Sequence, residues 1–425
     1  MSLTSHRGGH PVSTAPTRRA DSLKDTGKDG PNWLSTILQR FFSPSVGTIA
    51  GAIGLALVIG ALIVSLFDAD VQRSAGYFFA RPSDFFVAFG DAFFGFFISL
   101  FKGAVFDWTQ PTAAAAFKPI TDTMVRSIPL IIAGLAIAVS FTAGLFNIGA
   151  QGQLMMGAVL GGFIGFYFDL PIGIHLLFAI IGAIVGGAIW GFIPGILKAQ
   201  LGANEVIVTI MLNSVAVYLL QYLLTTQTFV GDGYPGKSQK VAPTAQLPLL
   251  LGSGFRLHAG FILAIVAAIL VWWILKRSTF GFELRAAGAN PNAARTAGIN
   301  VPRTMMLTLV LSGALAGLAG TAPVLGSEKF ISSGVAASYG FDAITVALLG
   351  KSNPLGVVLA GLLFGGLNAG SALMQSSDIP VDIVQITQAV IVLLIAASEA
   401  IRLRREQRAA NASTASATKK EGAVA

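Results

Sequence analysis

The segment KRSTFGFELRAAGANPNAARTAGINVPR, residues 276–303, is the only long interior part of the sequence that is polar and basic, and hydrophobic runs of membrane length flank it on both sides. Asn290 is a preferred helix-capping residue, Pro291 suits the first position of a helix, and Gly298 suits the position just past its end. This pattern predicts a short helix over residues 291–297. A helix of two turns is not stable alone, so the segment is either a solvated loop that joins two spans or a docking surface for a cytoplasmic partner.

The composition is that of a membrane protein. Of the 425 residues, 54% are hydrophobic and 11% are charged, whereas soluble domains carry about 25% charged residues. The sequence has no cysteine, which excludes disulfides and thiolate metal sites, and its 4 histidines form no ligand cluster. We therefore expect neither a metal nor another cofactor. The net charge of +8 comes from basic residues that flank the hydrophobic runs, so it indicates membrane topology and no nucleic-acid partner.

The order of the hydrophobic runs predicts an all-α fold, a polytopic transmembrane helical bundle. Residues 1–45 are expected to form a disordered cytoplasmic tail with a short interfacial helix, residues 46–401 a transmembrane domain, and residues 402–425 a basic cytoplasmic tail. The predicted spans are residues 46–67, 124–145, 152–168, 174–197, 203–224, 258–275, 304–323, 336–350, 353–375 and 381–401.

Glycines spaced four residues apart recur within these runs, as in Gly187, Gly191 and Gly195 and again in Gly313 and Gly317. This spacing places small residues on one face of a helix, where the backbone of another helix can approach closely. The pattern predicts a densely packed bundle and says nothing about a substrate.

The distribution of lysine and arginine predicts the orientation of the spans. The tail through Arg40 holds six basic side chains, residues 276–303 hold five, and the C-terminal tail holds six. Because cytoplasmic loops are enriched in these residues, we place all three in the cytoplasm and residues 225–257 outside. This arrangement requires ten spans, so the aromatic run at residues 85–106 is expected to be a re-entrant or interfacial helix.

Residues 231–238, GDGYPGKS, match the phosphate-loop pattern G-x-x-x-x-G-K-[ST]. A functional phosphate loop follows a strand and opens a helix. Here a membrane helix precedes the motif, QKVAPTAQLP follows it, and the predicted topology places it outside. We therefore expect no nucleotide site in this loop. The spacing of the polar residues suggests no catalytic group either, so the chain is not expected to be an enzyme.

Polar residues within the apolar runs are the candidates for a substrate path. Asn147 and Gln151 lie in GLFNIGAQGQL, whose glycines interrupt the helix; Asn213 lies two turns after the start of its span; and Asp342 lies in YGFDAITVALLG. Irregular backbone at membrane depth is tolerated where it lines a cavity or is buried in protein. The alternative is structural, because a buried amide also bonds to a neighbouring helix.

Four stretches resemble the membrane permease subunits of bacterial ABC importers for nucleosides, in the wider group of ribose and branched-chain amino acid permeases. They are GLFNIGAQGQLMMGA at 144–158, LGANEVIVTIMLN at 201–213, RAAGANPNAARTAGI at 285–299 and YGFDAITVALLGKSNPLG at 339–356.

The resemblance implies a subunit in the bacterial cytoplasmic membrane that moves nucleosides or related small sugars inward. A second permease subunit, a cytoplasmic ATP-binding subunit and an extracytoplasmic substrate-binding protein are the implied partners, and the ATP-binding subunit would hydrolyse ATP. The stretch at 285–299 resembles the segment that couples to that subunit. The coupling residues are expected to be Arg285, Gly288, Asn290, Pro291, Ala293, Ala294 and Gly298. Alanines 293, 294 and 297 are expected to form a smooth surface that the partner closes on.

Two other classes of protein compete with this hypothesis. An ion-coupled secondary transporter needs titratable residues within its spans, for which Glu205 and Asp342 are the candidates. A non-transporting membrane scaffold would not need amides at breaks in its helices.

Overall fold

The computed structural model describes residues 44–231, 233, 235–375, 385–391, 393–394 and 397. The predicted interfacial helix, both tails and part of the predicted last span lie outside the described residues. The chain divides into two compact units, Met1–Thr48 and Ile49–Ala425, and the elements that position the candidate sites belong to the second. The predicted limits of the transmembrane domain stay a prediction.

Helices and turns make up the described residues, which confirms the all-α class. The only β pairing among them is two isolated bridges, Lys237–Ser332 and Leu249–His258. In chain order the helices are α1 (Pro44–Phe67), α2 (Ala69–Ala75), α3 (Pro82–Ala104), α4 (Ala113–Ala116), α5 (Lys118–Thr142), α6 (Ala150–Tyr167), α7 (Ile174–Leu201), α8 (Glu205–Leu223), α9 (Gln227–Val230), α10 (Gly260–Arg277), α11 (Thr279–Ala289), α12 (Pro291–Thr296), α13 (Val301–Ala319), α14 (Tyr339–Leu349) and α15 (Pro354–Gln375). There are also a 3-10 turn at Pro243–Ala245 and a π-helical turn at Ala322–Ser327, and residues 385–391 are helical.

Within the described residues, 8 helical stretches are long and apolar enough to cross a membrane. The prediction of a polytopic helical membrane protein is therefore confirmed. Helix α3 is one of these stretches, and its 23 residues would suffice for a crossing at about 1.5 Å per residue. Its predicted re-entrant or interfacial placement, the total of ten spans and the cytoplasmic location of both termini stay predictions.

Helix α5 forms the centre of the bundle. Every residue from Ser127 to Ser140 is buried, and α10, α13, α14 and α15 all pack against this helix. A helix that is apolar all round is expected where protein surrounds it on every side.

The predicted glycine packing is confirmed between α7 and α13. A Cβ atom on Gly187 would collide with the backbone of Gly313 and Gly317, and one on Gly191 would collide with the backbone of Leu309. Small residues on both helices thus let the two backbones touch, which maximises van der Waals contact in a setting without a hydrophobic driving force.

The bundle has two distinct ends, which are opposite because α10 joins them. The long-loop end carries the connection between α8 and α10, residues 224–259. The basic-segment end carries α11 and α12. Backbone bonds attach the long loop to its surroundings, from the Ala242 N–H to the Gly165 carbonyl (2.8 Å) and from the Leu247 N–H to the Leu325 carbonyl (2.8 Å).

The span predicted at residues 336–350 is helical but too short to cross the membrane as a helix. Only α14 is helical there, and its 11 residues cover about 16 Å of a hydrocarbon core about 30 Å thick. Residues 328–338 lead from the π-helical turn to α14 without a helix, and Ala337 has a left-handed backbone (φ 39°). The chain therefore passes through the bundle as an irregular segment followed by a short helix, which sequence hydropathy cannot separate from one span.

Candidate functional site

The structure places Asn147 in the interior, where its amide is fully used. The residue is 0% exposed. Its Nδ2 donates to Gln153 Oε1 (2.9 Å) and to Ser312 Oγ (2.9 Å), and its Oδ1 accepts from the Gly149 N–H (2.8 Å). These bonds connect the break before α6 to α6 itself and to α13, so Asn147 braces the break.

Gln151 joins two irregular segments. Its Nε2 donates to the Ala337 carbonyl (2.7 Å), and its Oε1 accepts from the Gly340 N–H (2.8 Å). The buried side chain thus bonds to a carbonyl of the irregular segment and to an N–H in the first turn of α14. Buried backbone groups require such partners.

Asn213, on α8, also bonds to backbone groups of another segment. Its Oδ1 accepts from the Gly152 N–H (2.9 Å), and its Nδ2 donates to the Ile148 carbonyl (2.9 Å). That Asn147, Gln151 and Asn213 line a substrate path stays a prediction. The sequence correctly indicates broken helices, but the amides close those breaks from within.

Asp342 is the fourth predicted path residue, and it differs from the amides because it is only half-buried. Its Oδ2 accepts from Ser338 Oγ (2.6 Å) in the first turn of α14. Its role in a substrate path stays a prediction.

A polar cavity of about 190 Å³ lies at the long-loop end, beside the broken span. Four charged side chains line it: Asp122 and Arg126 from α5, Arg256 from the long loop, and Glu328 after the π-helical turn. Tyr339, the first residue of α14, is also part of the wall. Elements that are far apart in the sequence therefore contribute charges of both signs to one partly open cavity.

These charged groups are not neutralised in pairs. Within the residues that the structure describes, salt bridges form only between Arg73 and Asp70 and between Lys198 and Glu205. The buried Oδ1 atom of Asp122 accepts no hydrogen bond from any described group. A buried carboxylate oxygen without a partner costs free energy.

Burial raises the pKa of Glu328 above its usual range, opposed by the hydrogen bond from Ser332 Oγ (3.2 Å) and the charge of Lys237. Nearby, burial and the positive charges of Arg256 and Lys329 lower the pKa of His258 to about 4, so this ring is neutral at physiological pH.

The sequence contains a signal for this cavity that the predictions did not use. Arg126 falls inside the predicted span 124–145, and ionisable residues within spans are functional candidates. Arg256 and Glu328 carry no such signal, because they lie outside the predicted spans and only the fold brings them to α5.

At the basic-segment end, the predicted start and stop signals of the short helix are confirmed. The Asn290 side chain accepts hydrogen bonds from the N–H groups of Asn292 (3.0 Å) and Ala293 (3.1 Å). Pro291 is the first residue of α12, and Gly298 is left-handed (φ 85°). Local sequence therefore sets the limits of this helix.

The predicted exposure of Ala294 is wrong. The residue is 3% exposed and packs with Ala287 of α11 and Val301 of α13. Helix α12 thus docks on its own chain through Ala294, whereas Ala293 and Ala297 face outward. This internal contact supplies part of the support that two isolated helical turns lack.

Gly288 joins this segment to the bundle. A Cβ atom there would collide with the backbone of Thr142 and Ala143 at the end of α5. Arg285 is half-buried in the same helix, and its buried Nη1 has no hydrogen-bond partner among the described residues.

A cleft of about 860 Å³ opens between α11 and residues 297–307. Arg277 and Arg303 line this cleft with Phe282, whose side chain is 61% exposed. An exposed aromatic ring on a polar, basic surface outside the spans is a feature of protein interfaces.

A bundle of membrane-length helices with a span that breaks beside a polar cavity is an architecture of membrane transport proteins. Comparison with known proteins identifies the family of transport proteins. The family model described as branched-chain amino acid transport system / permease component matches residues 120–397, and the chain belongs to this family. It is a multi-pass protein of the inner membrane.

Three relatives carry related names. The chain is 43% identical over 289 residues to the guanosine ABC transporter permease protein NupP of Bacillus subtilis, covering 67% of this chain and 82% of the relative. It is 36% identical over 290 residues to the glucose ABC transporter permease protein TsgB13 of Haloferax volcanii (66% and 76%). It is 34% identical over 321 residues to the nucleoside ABC transporter permease protein NupB of Lactococcus lactis (73% and 88%). No solved structure matches. The predicted resemblance to ABC transporter permeases is confirmed.

Proposed function

We propose that this chain is the permease subunit of an ATP-driven importer that carries nucleosides or related small sugars. The observation that supports it is the 43% identity to a guanosine permease over two thirds of the chain. The names of the next relatives point to the same substrate group, because glucose and nucleosides both contain a sugar ring. The implied partners are a second permease subunit, an ATP-binding subunit and a substrate-binding protein.

An ion-coupled transporter is the alternative, and the position of Glu205 weakens it. Glu205 forms a salt bridge to Lys198 (2.8 Å) between the end of α7 and the start of α8. A carboxylate already paired with a lysine is a poor carrier of a coupled proton, because the pair stabilises the charged form.

Reconstitution tests this function. We expect vesicles holding the chain and the proteins that co-purify with it to accumulate labelled guanosine or glucose when ATP is present. Uptake should survive an uncoupler as long as ATP is maintained. Uptake that needs the ion gradient and ignores ATP would establish the secondary transporter instead.

The ATP-binding subunit is proposed to dock at the cleft between α11 and residues 297–307 and on the exposed side of α12. Phe282 supplies an aromatic anchor, Arg277 and Arg303 supply positive charge, and Ala293 lets a partner approach the helix closely. The partner would therefore contact the exposed Ala293 and not the buried Ala294.

Two substitutions test this docking. Phe282→Ser and Ala293→Glu alter exposed side chains, so the protein should fold normally yet release the co-purifying ATPase. Phe79→Ser is the matched control, because Phe79 is also exposed (97%) and lies in the connection between α2 and α3. Retention of the ATPase at wild-type levels by both test variants would leave the segment as a connecting loop.

A further inference from the structure

The charged cavity beside the broken span has the chemistry of a binding site. Two carboxylates, Asp122 and Glu328, offer only acceptors when ionised, and two guanidinium groups, Arg126 and Arg256, offer only donors. None of the four is salt-bridged within the described residues. A molecule that satisfies this cavity must therefore donate to one part of the wall and accept from another.

Hydroxyl groups meet this requirement, because each of them both donates and accepts. Several hydroxyls on one ring can bond to the Asp122 carboxylate and the Arg126 guanidinium at the same time. The Asp122 carboxylate, which lines the cavity, provides the acceptor, and a charge-assisted bond to it is stronger than one between neutral groups.

The size of the cavity narrows the choice. Its volume is about 190 Å³. This is below the range of about 300–1,000 Å³ that holds a drug-sized ligand. The cavity has room for one ring with its substituents, and because it is partly open the rest of a nucleoside can extend out of it.

The solutes named for the relatives indicate which ring would bind in the cavity. Their names include guanosine, nucleoside and glucose, and the one chemical group that these solutes share is a polyhydroxylated sugar ring. A site that recognises this ring would serve a permease of either kind, whatever base is attached.

We propose that the cavity formed by Asp122, Arg126, Arg256, Glu328 and Tyr339 binds the sugar ring of the transported solute. Asp122 accepts hydrogen bonds from ring hydroxyls, and Arg126 donates to them. This inference rests on the proposed function as a permease for nucleosides or sugars. Because the irregular segment 328–338 and the start of α14 form one side of the cavity, binding there would occur at the part of the bundle least constrained by helical hydrogen bonds.

The test compares guanosine with 2′,3′-dideoxyguanosine, which lacks two ring hydroxyls, in vesicles that hold the complete transporter. We expect the wild type to transport guanosine faster per folded molecule. Asp122→Asn and Arg126→Gln should each slow guanosine uptake about tenfold while changing dideoxyguanosine uptake little, since the lost bond needs a hydroxyl. The ratio between the two solutes should therefore fall in both variants.

Lys118→Gln is the matched control, because it removes one charge from an exposed position on α5 outside the cavity. Its solute ratio should equal that of the wild type. If Asp122→Asn fails to accumulate in the membrane, Glu328→Gln carries the same expectation from a different element. A wild-type ratio of one, or an unchanged ratio in the cavity variants, would refute the sugar site while leaving the importer function intact. A wild-type transporter that moves neither guanosine nor glucose would refute the proposed function itself.

Discussion

The replacement Asn147→Ala separates a structural brace from a substrate contact. The asparagine is completely buried, and its amide bonds to the Gly149 N–H, to Gln153 Oε1 and to Ser312 Oγ. Alanine removes all of these bonds without adding volume. We therefore expect the folded protein to lose stability while the molecules that do fold keep their transport rate.

The magnitude follows from the groups left behind. Ser312 Oγ keeps its bond to the Ala136 carbonyl (2.7 Å), so the Gly149 N–H and Gln153 Oε1 are the groups that lose the partner seen here. Each unsatisfied buried group costs about 1–3 kcal/mol, which makes about 2–6 kcal/mol for two. Helices unfolded within a membrane also find polar partners, which moves measured values to the lower limit. We expect about 2 kcal/mol, or roughly a thirtyfold fall in the ratio of folded to unfolded protein.

The assay measures the amount of monodisperse protein after heating, together with guanosine uptake per folded molecule. Gln221→Ala is the control, because that glutamine is exposed on α8, far from the proposed ATPase contact, and surface changes stay within about 0.5 kcal/mol. The stability of Asn147→Ala should fall well below that of the control. If the two variants melt alike but Asn147→Ala transports more slowly, the asparagine contacts the solute and the reasoning is wrong.

Three further outcomes are expected. Gly317→Ile should prevent the close contact of α7 with α13 and abolish folding. Gly51→Ile should be tolerated, because the added side chain meets open space there. Equal accumulation of the two variants in the membrane would contradict the packing. The pKa of His258 is lowered from 6.5 to about 4, so between these pH values the folded state binds fewer protons than the unfolded state. The stability of the protein should therefore fall as the pH drops from 6.5 to 4. The melting temperature of His258→Gln should depend less steeply on pH, and an identical slope would assign the effect to another group. Since the sequence has no cysteine, Lys240→Cys and Ala297→Cys can be labelled singly in intact cells with a membrane-impermeant reagent: the first should react and the second should be protected, and the reverse pattern would overturn the predicted topology.

The sequence by itself determined the features that depend on neighbours along the chain. Hydropathy located the membrane-length helices, because a helix in a bilayer needs about 20 apolar residues whatever it packs against. Asn290 and Gly298 set the ends of α12 through capping and a left-handed backbone. Glycine spacing correctly indicated close helix packing, which the structure places between α7 and α13.

Only the tertiary structure decided which side chains face a partner, a cavity or the interior. Ala293 and Ala294 are identical neighbours in the sequence, yet one is exposed and the other is buried against α11 and α13. The amide of Asn147 has the composition expected of a substrate site, but its bonding atoms are used within the chain. The charges at Arg256 and Glu328 reach α5 only because the long loop and the π-helical turn fold back over it. Burial and hydrogen bonding depend on contacts between segments that are far apart in the sequence. A single sequence does not specify which of these segments meet.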